Sequence, residues 1–349
     1  MGFSTIIGNP PYQESDGGGT GDSAKPIYQH FIQSAIAVAG RCVVLITPSR
    51  WLKGGKGLTS FRKKMTEDPH LVELHDFAEA KSFFPGMNID GGVSYFLYDK
   101  QEQTENGKVK YVYTDRDDAV STVYRSIKPT ASKTILRDAR QQSIVEKAMA
   151  FGGATFDSIV SSRNPFGLYS DLFNRPEKYT SLGVSDLKLD GYCTVYGVHG
   201  KKGGSRRVER YMPKNTMPKG KESVMKYKIF FSKAYMTTST VPPARIQGEP
   251  GDVATETFLK IGDFDTTAER DNCEKYICTK FFRALLFFNR SSLNISKGTF
   301  GLIPLQDFTE NSPIDWEHST VDELDRQLYE MYGLSKDEID FIEKTVKPA

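Results

Sequence analysis

Short apolar runs alternate with amphipathic stretches through the first hundred residues, and this alternation restricts how the chain can fold. Ser4-Thr-Ile-Ile7 is a β-branched run that stops at Gly8-Asn-Pro-Pro11. Pro26 opens a stretch in which Tyr28, Phe31, Ile32, Ala35 and Ile36 follow helical spacing as far as Gly40. Val43-Val-Leu-Ile46 is continuously apolar, as in a strand buried on both faces. Leu58, Phe61, Arg62 and Met65 mark a second helix, and Leu71-Val-Glu-Leu74 another strand. Val93 to Tyr98 and Lys110 to Tyr113 read as a closing pair of strands. Strands that alternate with helices predict an α/β fold, a parallel sheet covered by helices. Ligands of such sheets bind at the carboxyl ends of strands, where residues 8–12 would lie.

The remainder reads differently. From about 130 to 310, glycines, prolines and aromatics separate short apolar stretches such as Tyr192–Val198 and Tyr227–Phe231, which predicts a mixed, β-rich and loop-rich region. The C-terminus is helical, with capping boxes at Thr320-Val-Asp-Glu323 and Ser335-Lys-Asp-Glu338. Leu324, Leu328 and Met331 share one face of the first helix, and Ile339 and Ile342 follow in the second. Three segments are expected: 1–125, 126–310 and a helical hairpin at 311–349. No internal repeat is visible.

Charge is segregated along the 349 residues. The formal net charge is only +2, yet His199–Lys233 carries eleven Lys/Arg against two Glu. From Asp307 onward, twelve acidic residues face four basic ones. A basic segment on an otherwise acidic chain suggests a polyanion-binding region; a solvated loop rich in lysine and glycine is the alternative. Lys201, Lys202, Arg206, Arg207 and Arg210 are the best phosphate contacts, and Gly200, Gly203 and Gly204 would permit close backbone approach. Lys214, Lys219 and Lys221 extend the footprint. Apolar residues make up 38%, enough for a packed core, and no run approaches the ~18–20 residues of a membrane helix. The five histidines and four cysteines show no metal-ligand spacing, so no metal site is predicted. Scattered thiols and the lack of a secretory h-region fit the cytoplasm. Asp76, Glu79 and Lys81 are read as surface charges.

Asn9-Pro10-Pro11-Tyr12 carries chemistry. Two prolines fix φ and hold the residues before them extended, which stiffens the corner. The Asn9 amide oxygen and the Pro10 carbonyl could accept hydrogen bonds from the two N–H groups of a planar amine. That would draw its lone pair out of conjugation, while the Tyr12 ring stacks on the plane.

This corner, in its context, resembles the catalytic motif of adenine-specific DNA methyltransferases that methylate an exocyclic amine. Gly8-Asn-Pro-Pro-Tyr-Gln13, Ser23-Ala-Lys-Pro-Ile-Tyr-Gln-His-Phe31 and Ile46-Thr-Pro-Ser-Arg-Trp-Leu52 are similar to the methylases of restriction–modification systems. Phe83-Phe-Pro85 before the Gly91–Tyr98 run resembles the segment that supplies a second aromatic against a flipped base. The likeness extends to Tyr276–Arg283 and Asp325–Glu343. It implies a partial Rossmann-like methyltransferase sheet, then a β-rich target-recognition domain and C-terminal helices. By resemblance, Asn9, Pro10, Pro11 and Tyr12 are catalytic, and Tyr12 and Phe84 stack on the base, with Phe83 as the fallback. Arg50 and Trp51 follow a strand end and would line the pocket, core packing of Trp51 being the alternative. Double-stranded DNA is the implied partner, flipping its base being the prior step. Methylases of RNA and of protein glutamine use similar loops, so those readings stay open.

The resemblance also implies S-adenosylmethionine as donor, held by a strand, a glycine-rich turn and a helix that normally precede the motif. Only eight residues precede Asn9, against the ~30 such a unit needs. Phe151-Gly-Gly-Ala154 is the best downstream candidate, but Ile144, Val145, Ala148 and Met149 before it have helical spacing. Gly17–Gly21 reads as a flexible or DNA-facing loop. The chain is therefore expected to be the C-terminal portion of such an enzyme, inactive alone, pairing with a missing N-terminal half or partner subunit. A DNA-binding specificity module without its own catalysis is the competing reading.

Overall fold

The computed structural model describes residues 3–14, 25–54, 57–81, 83–86, 89, 91–129, 134–200, 204, 206–235, 239–290 and 293–348. It divides into two compact units, 1–143 and 144–349.

The first unit is built on a six-stranded sheet. Its elements are β1 (Thr5–Gly8), α1 (Tyr28–Val38), β2 (Cys42–Pro48), α2 (Arg50–Lys53), α3 (Thr59–Glu67), β3 (Leu71–Phe77), β4 (Val93–Asp99), β5 (Val109–Thr114) and β6 (Val120–Arg125). Strand order is β1-β2-β4-β3-β5-β6. β1 runs parallel to β2, and β3 parallel to β5, whereas β4 is antiparallel to both its neighbours. The runs at 93–98 and 110–113 thus do not pair with each other, and the sheet is mixed rather than parallel. β4 follows β3 and returns antiparallel beside it, and insertion between β3 and β2 pairs both of its backbone edges in a strand whose Val93, Phe96 and Tyr98 are buried.

Period-two alternation turns Val43, Leu45, Leu74, Phe96 and Tyr111 to one face, where they join Tyr28, Ile32, Trp51, Phe61 and Met65 of the helices in one core. Tyr28, Ile32 and Ala35 form the buried line of α1. Phe31, placed by its spacing on that line, is instead 44% exposed, because it sits off the 28–32–35 stripe. Among the described residues β1 pairs with β2 alone, which places it at the edge of this sheet. Its Ile7 is 76% exposed and the neighbouring Phe3 74%.

A helix, α4 (Ala139–Ala150), leads into the second unit. There β7 (Tyr192–His199), β8 (Arg206–Pro213), α5 (Lys221–Val224), β9 (Tyr227–Ser232), β10 (Arg245–Gly248), β11 (Asp252–Ala254) and β12 (Phe258–Phe264) build two three-stranded sheets, β11-β7-β8 and β10-β9-β12. The β-rich reading of this region holds. Cys193, Val195, Met212, Phe230 and Val253 pack between them. Four helices follow: α6 (Thr267–Cys278), α7 (Lys280–Asn289), α8 (Val321–Met331) and α9 (Lys336–Thr345). α7 buries Phe281, Phe282, Leu285, Leu286 and Phe288 around most of its circumference, as a central helix must. Both anticipated capping boxes form, Thr320 with Glu323 and Ser335 with Glu338. All four cysteines are free thiols. Among the described residues no helix is long and apolar enough to cross a membrane.

The Asp325 carboxylate of α8 accepts from the backbone N–H groups of Lys280 and Phe281, each at 2.9 Å, at the start of α7. Burial nevertheless pushes its carboxyl up to about 6, against those two donors and the charge of Lys280. In the unfolded chain an aspartate titrates near ~3.9, so between about pH 4 and 6 the folded state holds the extra proton. The stability Asp325 contributes is full below that window and is lost as pH rises through it, by roughly 3 kcal/mol at most. Urea midpoints of the wild type and Asp325→Asn from pH 4 to 7 should show the difference shifting in the variant's favour up to pH 6 and level above; a pH-independent difference contradicts this.

Candidate base-binding site

The site forms where chain segments leave the carboxyl ends of β1, β2 and β3. Gly8 is the last residue of β1, opposite Leu45 of β2. Asn9 and Pro11 are exposed, and Pro10 and Tyr12 half-buried. The exit of this corner is tied to the entry of α1: the Ile27 N–H donates to the Tyr12 carbonyl at 3.1 Å and Glu14 N–H to Lys25 O at 3.0 Å. The motif is therefore held between a strand end and a helix start, not on a free loop.

The Tyr12 hydroxyl is buried and has no hydrogen bond of good geometry among the described residues. Burial raises its pKa above the ordinary phenol value, and the Asn9 side chain beside it works in the opposite direction. The Tyr12 ring meets Phe84 edge to face, with centres 6.4 Å apart and planes at 85°. The N–H groups of Phe83 and Phe84 both donate to Ala80 O, at 3.0 and 2.9 Å, forming a turn that separates the two rings. Phe83 packs on Phe77, centre to centre 4.5 Å, and Phe77 on Tyr95 at 5.9 Å. Of the two candidate aromatics, Phe84 is the one that reaches Tyr12.

The other proposed residues fall in several places. Arg50 is exposed, at the start of α2. Trp51 is 1% exposed and packs in the core, its ring edge to face with Phe61 at 5.7 Å. Its indole N–H has no hydrogen-bond partner among the described residues. Arg62 donates to the carbonyls of Trp51 and Gly54, closing the end of the same short helix. Lys201, Lys202, Gly203 and Gly17–Gly21 lie outside the described residues.

β8 carries Arg206 and Arg207 exposed. Arg207 donates to Ala244 O at 3.0 Å and Arg210 pairs with Asp186. Lys214, Lys219 and Lys221 are exposed. Two cations of the same basic segment turn inward: Lys228 is fully buried and donates to Val224 O and Asp252 O, and Lys233 donates to Glu256 O. Lys226 stays at the surface in a pair with Asp265. The outward charge is thus narrower than the residue count.

One sequence reading is corrected. Asp76, taken as a surface charge, is completely buried near the end of β3. Arg137 donates to it from Nε and Nη2, both at 2.5 Å, and the hydroxyls of Ser49 and Tyr111 each approach at 2.6 Å. The signal was present in the sequence: alternation places Asp76 on the same inward face as Leu74. Arg137 gave none, since its segment has no periodicity.

Gly152 and Gly153 adopt φ of 69° and 85° directly after α4, where they end a helix. A glycine turn that cradles a nucleoside follows a strand and opens a helix, so these two do not fit S-adenosylmethionine.

Comparison with known proteins finds restriction-modification methylases. Residues 1–84 match the Eco57I restriction-modification methylase family. Over 173 residues the chain is 29% identical to an uncharacterized adenine-specific methylase of Mycoplasma pneumoniae, covering 48% of this chain and 41% of that protein. The chain resembles a restriction-modification methylase. Among solved structures, the type IIL restriction-modification enzyme MmeI in complex with DNA is similar over 98% of this chain and 56% of its own, with a TM-score of 0.44 and 10% identity. The type IIG restriction endonuclease BpuSI is similar over 84% and 42%, with a TM-score of 0.35 and 10% identity. This methylase-like chain spans about half the length of the proteins it matches.

The segment bearing Phe84 returns to the sheet through Gly91 and Gly92, which have φ of 88° and 80°. A Cβ on Gly92 would lie 2.0 Å from the Phe77 carbonyl oxygen, whereas one on Gly91 would meet nothing within 4 Å. Gly92→Ala should therefore cost about 3 kcal/mol or more and Gly91→Ala about 1 kcal/mol, from backbone strain alone. Denaturant midpoints check this; equal losses would mean the close approach at Gly92 is relaxed in solution.

Proposed function

We propose that this chain is the base-recognition and DNA-recognition part of an adenine-specific DNA methyltransferase of a restriction–modification system. The observation that carries the reading is the meeting of Tyr12 with Phe84, beside Asn9, at the carboxyl ends of the strands. A flipped adenine is flat and offers an exocyclic amine with two N–H groups. Asn9 Oδ1 and the Pro10 carbonyl accept hydrogen bonds from those two N–H groups and draw the nitrogen toward tetrahedral geometry, which frees its lone pair for attack on a methyl group. The Tyr12 ring stacks on one face of the base and Phe84, its plane at 85° to Tyr12, packs against the base edge-on, and these contacts offset the few kcal/mol spent in unstacking it. The family likeness over residues 1–84 supports this assignment of the corner.

S-adenosylmethionine is the methyl donor in this reading, and its principal site belongs to a polypeptide segment other than those described. The edge of β1 supports that arrangement: its unpaired side, with Ile7 and Phe3 exposed, is suited to sheet extension by a donor-binding half. The exposed Arg206 and Arg207 of β8 supply sequence-independent grip on the phosphates of double-stranded DNA, and Lys201 and Lys202 extend it. The enzyme acts in the cytoplasm, where DNA and donor are both present.

Produced together with the coding sequence immediately upstream, the chain should transfer a labelled methyl group to adenine N6 in duplex DNA. Asn9→Ala should lower the rate by about 10²–10³-fold with little change in DNA affinity. A variant of full activity would sink the assignment, and transfer to RNA or to glutamine would replace the substrate. Arg206→Ala and Arg207→Ala should each weaken duplex binding uniformly across sequences and reduce the salt slope by about one. An unchanged slope removes β8 from the DNA interface.

A further inference from the structure

We infer that the buried Asp76–Arg137 pair is a positioning device that sets the two walls of the base pocket; this rests on the reading of Tyr12 and Phe84 given above. The pair uses its hydrogen-bonding capacity in an unusual way. Asp76 Oδ1 accepts from Ser49 Oγ and Arg137 Nη2, and Oδ2 from Tyr111 Oη and Arg137 Nε. Arg137 directs two further donors to backbone: Nη1 to Gly91 O at 2.7 Å and Nη2 to Phe77 O at 2.9 Å. Ser49 N–H in turn donates to Gly92 O at 3.0 Å.

These contacts fall on both ends of one segment. Phe77 ends β3, and Gly91 and Gly92 precede β4. Between them lie Ala80, Phe83 and Phe84. A single guanidinium therefore ties down the departure and the return of the segment that carries Phe84. Through Asp76 it is also bonded to Ser49, the residue between β2 and Arg50-Trp51. β2 is the strand on which β1, and hence the Asn9–Tyr12 corner, is registered. The pair thus connects the support of Tyr12 to the support of Phe84.

Buried ion pairs contribute little net stability compared with apolar packing, and their attested use is to specify register. The planar fork of Arg137 suits that task, because its donor directions are fixed relative to one another. Tyr111 and Tyr113 complete the enclosure; the guanidinium lies 5.6 Å from the Tyr113 ring centre. A lysine here would keep the charge and lose the geometry.

The test places 4-fluorophenylalanine at position 84 and records its fluorine resonance in the full chain without DNA or donor. The Tyr12 ring should shift that resonance, so Tyr12→Ala defines the value for a lost contact. In Arg137→Lys and Asp76→Asn, with circular dichroism showing a folded chain, the resonance should move to the Tyr12→Ala value. Ser49→Ala, a smaller change, should move it part of the way and serves if the charged variants fail to fold. In the methyl-transfer assay, Arg137→Lys should lower kcat by about 10²-fold and leave duplex Kd within about twofold. A wild-type resonance position in folded Arg137→Lys, or in Ser49→Ala if the former does not fold, overturns the proposal, as does an unchanged kcat. Because the fluorine measurement needs no substrate, its failure is distinct from a failure of the methyltransferase reading, which Asn9→Ala tests.

Discussion

A carboxylate with no access to water stands near the end of β3, and the arrangement of the strand ends depends on how it is satisfied. Leaving Asp76 without Arg137 would strand a charge in the interior, at a cost of about 3–5 kcal/mol. Burial works against the Arg137 charge, and Asp76 more than compensates, so its pKa stands above the ordinary arginine value. The pair is surrounded by Ser49, Tyr111 and the carbonyls of Phe77 and Gly91, which come from the exit of β2, the middle of β5, the end of β3 and the approach to β4. Strand order brings these elements together, so one electrostatic requirement aligns several of them at once.

The same edge of the sheet is where the aromatic and amide groups collect. Asn9 and Tyr12 leave β1, and Phe84 leaves β3. Strand order in this mixed sheet puts β2 and β4 between β1 and β3, yet Tyr12 and Phe84 touch. The two segments therefore reach over the ends of the intervening strands, and the inserted β4 sets the distance they must span. Gly92, with no side chain, allows the return of the second segment to lie directly against the Phe77 carbonyl.

The second unit carries the basic segment, which divides between Lys228 and Lys233, whose ammonium groups satisfy carbonyls in the interior, and residues exposed at the surface, among them Arg206, Arg207, Lys214, Lys219 and Lys221. Residue counts overstate such a surface because a lysine stem reaches far enough to bury its ammonium against backbone oxygens. The methylase family match covers residues 1–84, the stretch that carries the corner and Phe84.

Local information was sufficient for much of this. The α1 and α3 stripes, the β2 and β3 runs, the two capping boxes and the rigid Asn9–Tyr12 corner all follow from spacing, proline geometry and capping chemistry, which act within a few residues. The resemblance assigned the second aromatic to Phe84 with Phe83 as the fallback, and the turn at Ala80 is what brings Phe84 to Tyr12, since rings at consecutive positions diverge. The place of β4, the exposure of Phe31, the core position of Trp51 and the burial of Asp76 were settled by tertiary structure. Each depends on which distant surface arrives to cover a residue. A period of two shows that Asp76 faces the interior with Leu74, but not that Arg137, 61 positions away, arrives to neutralise it.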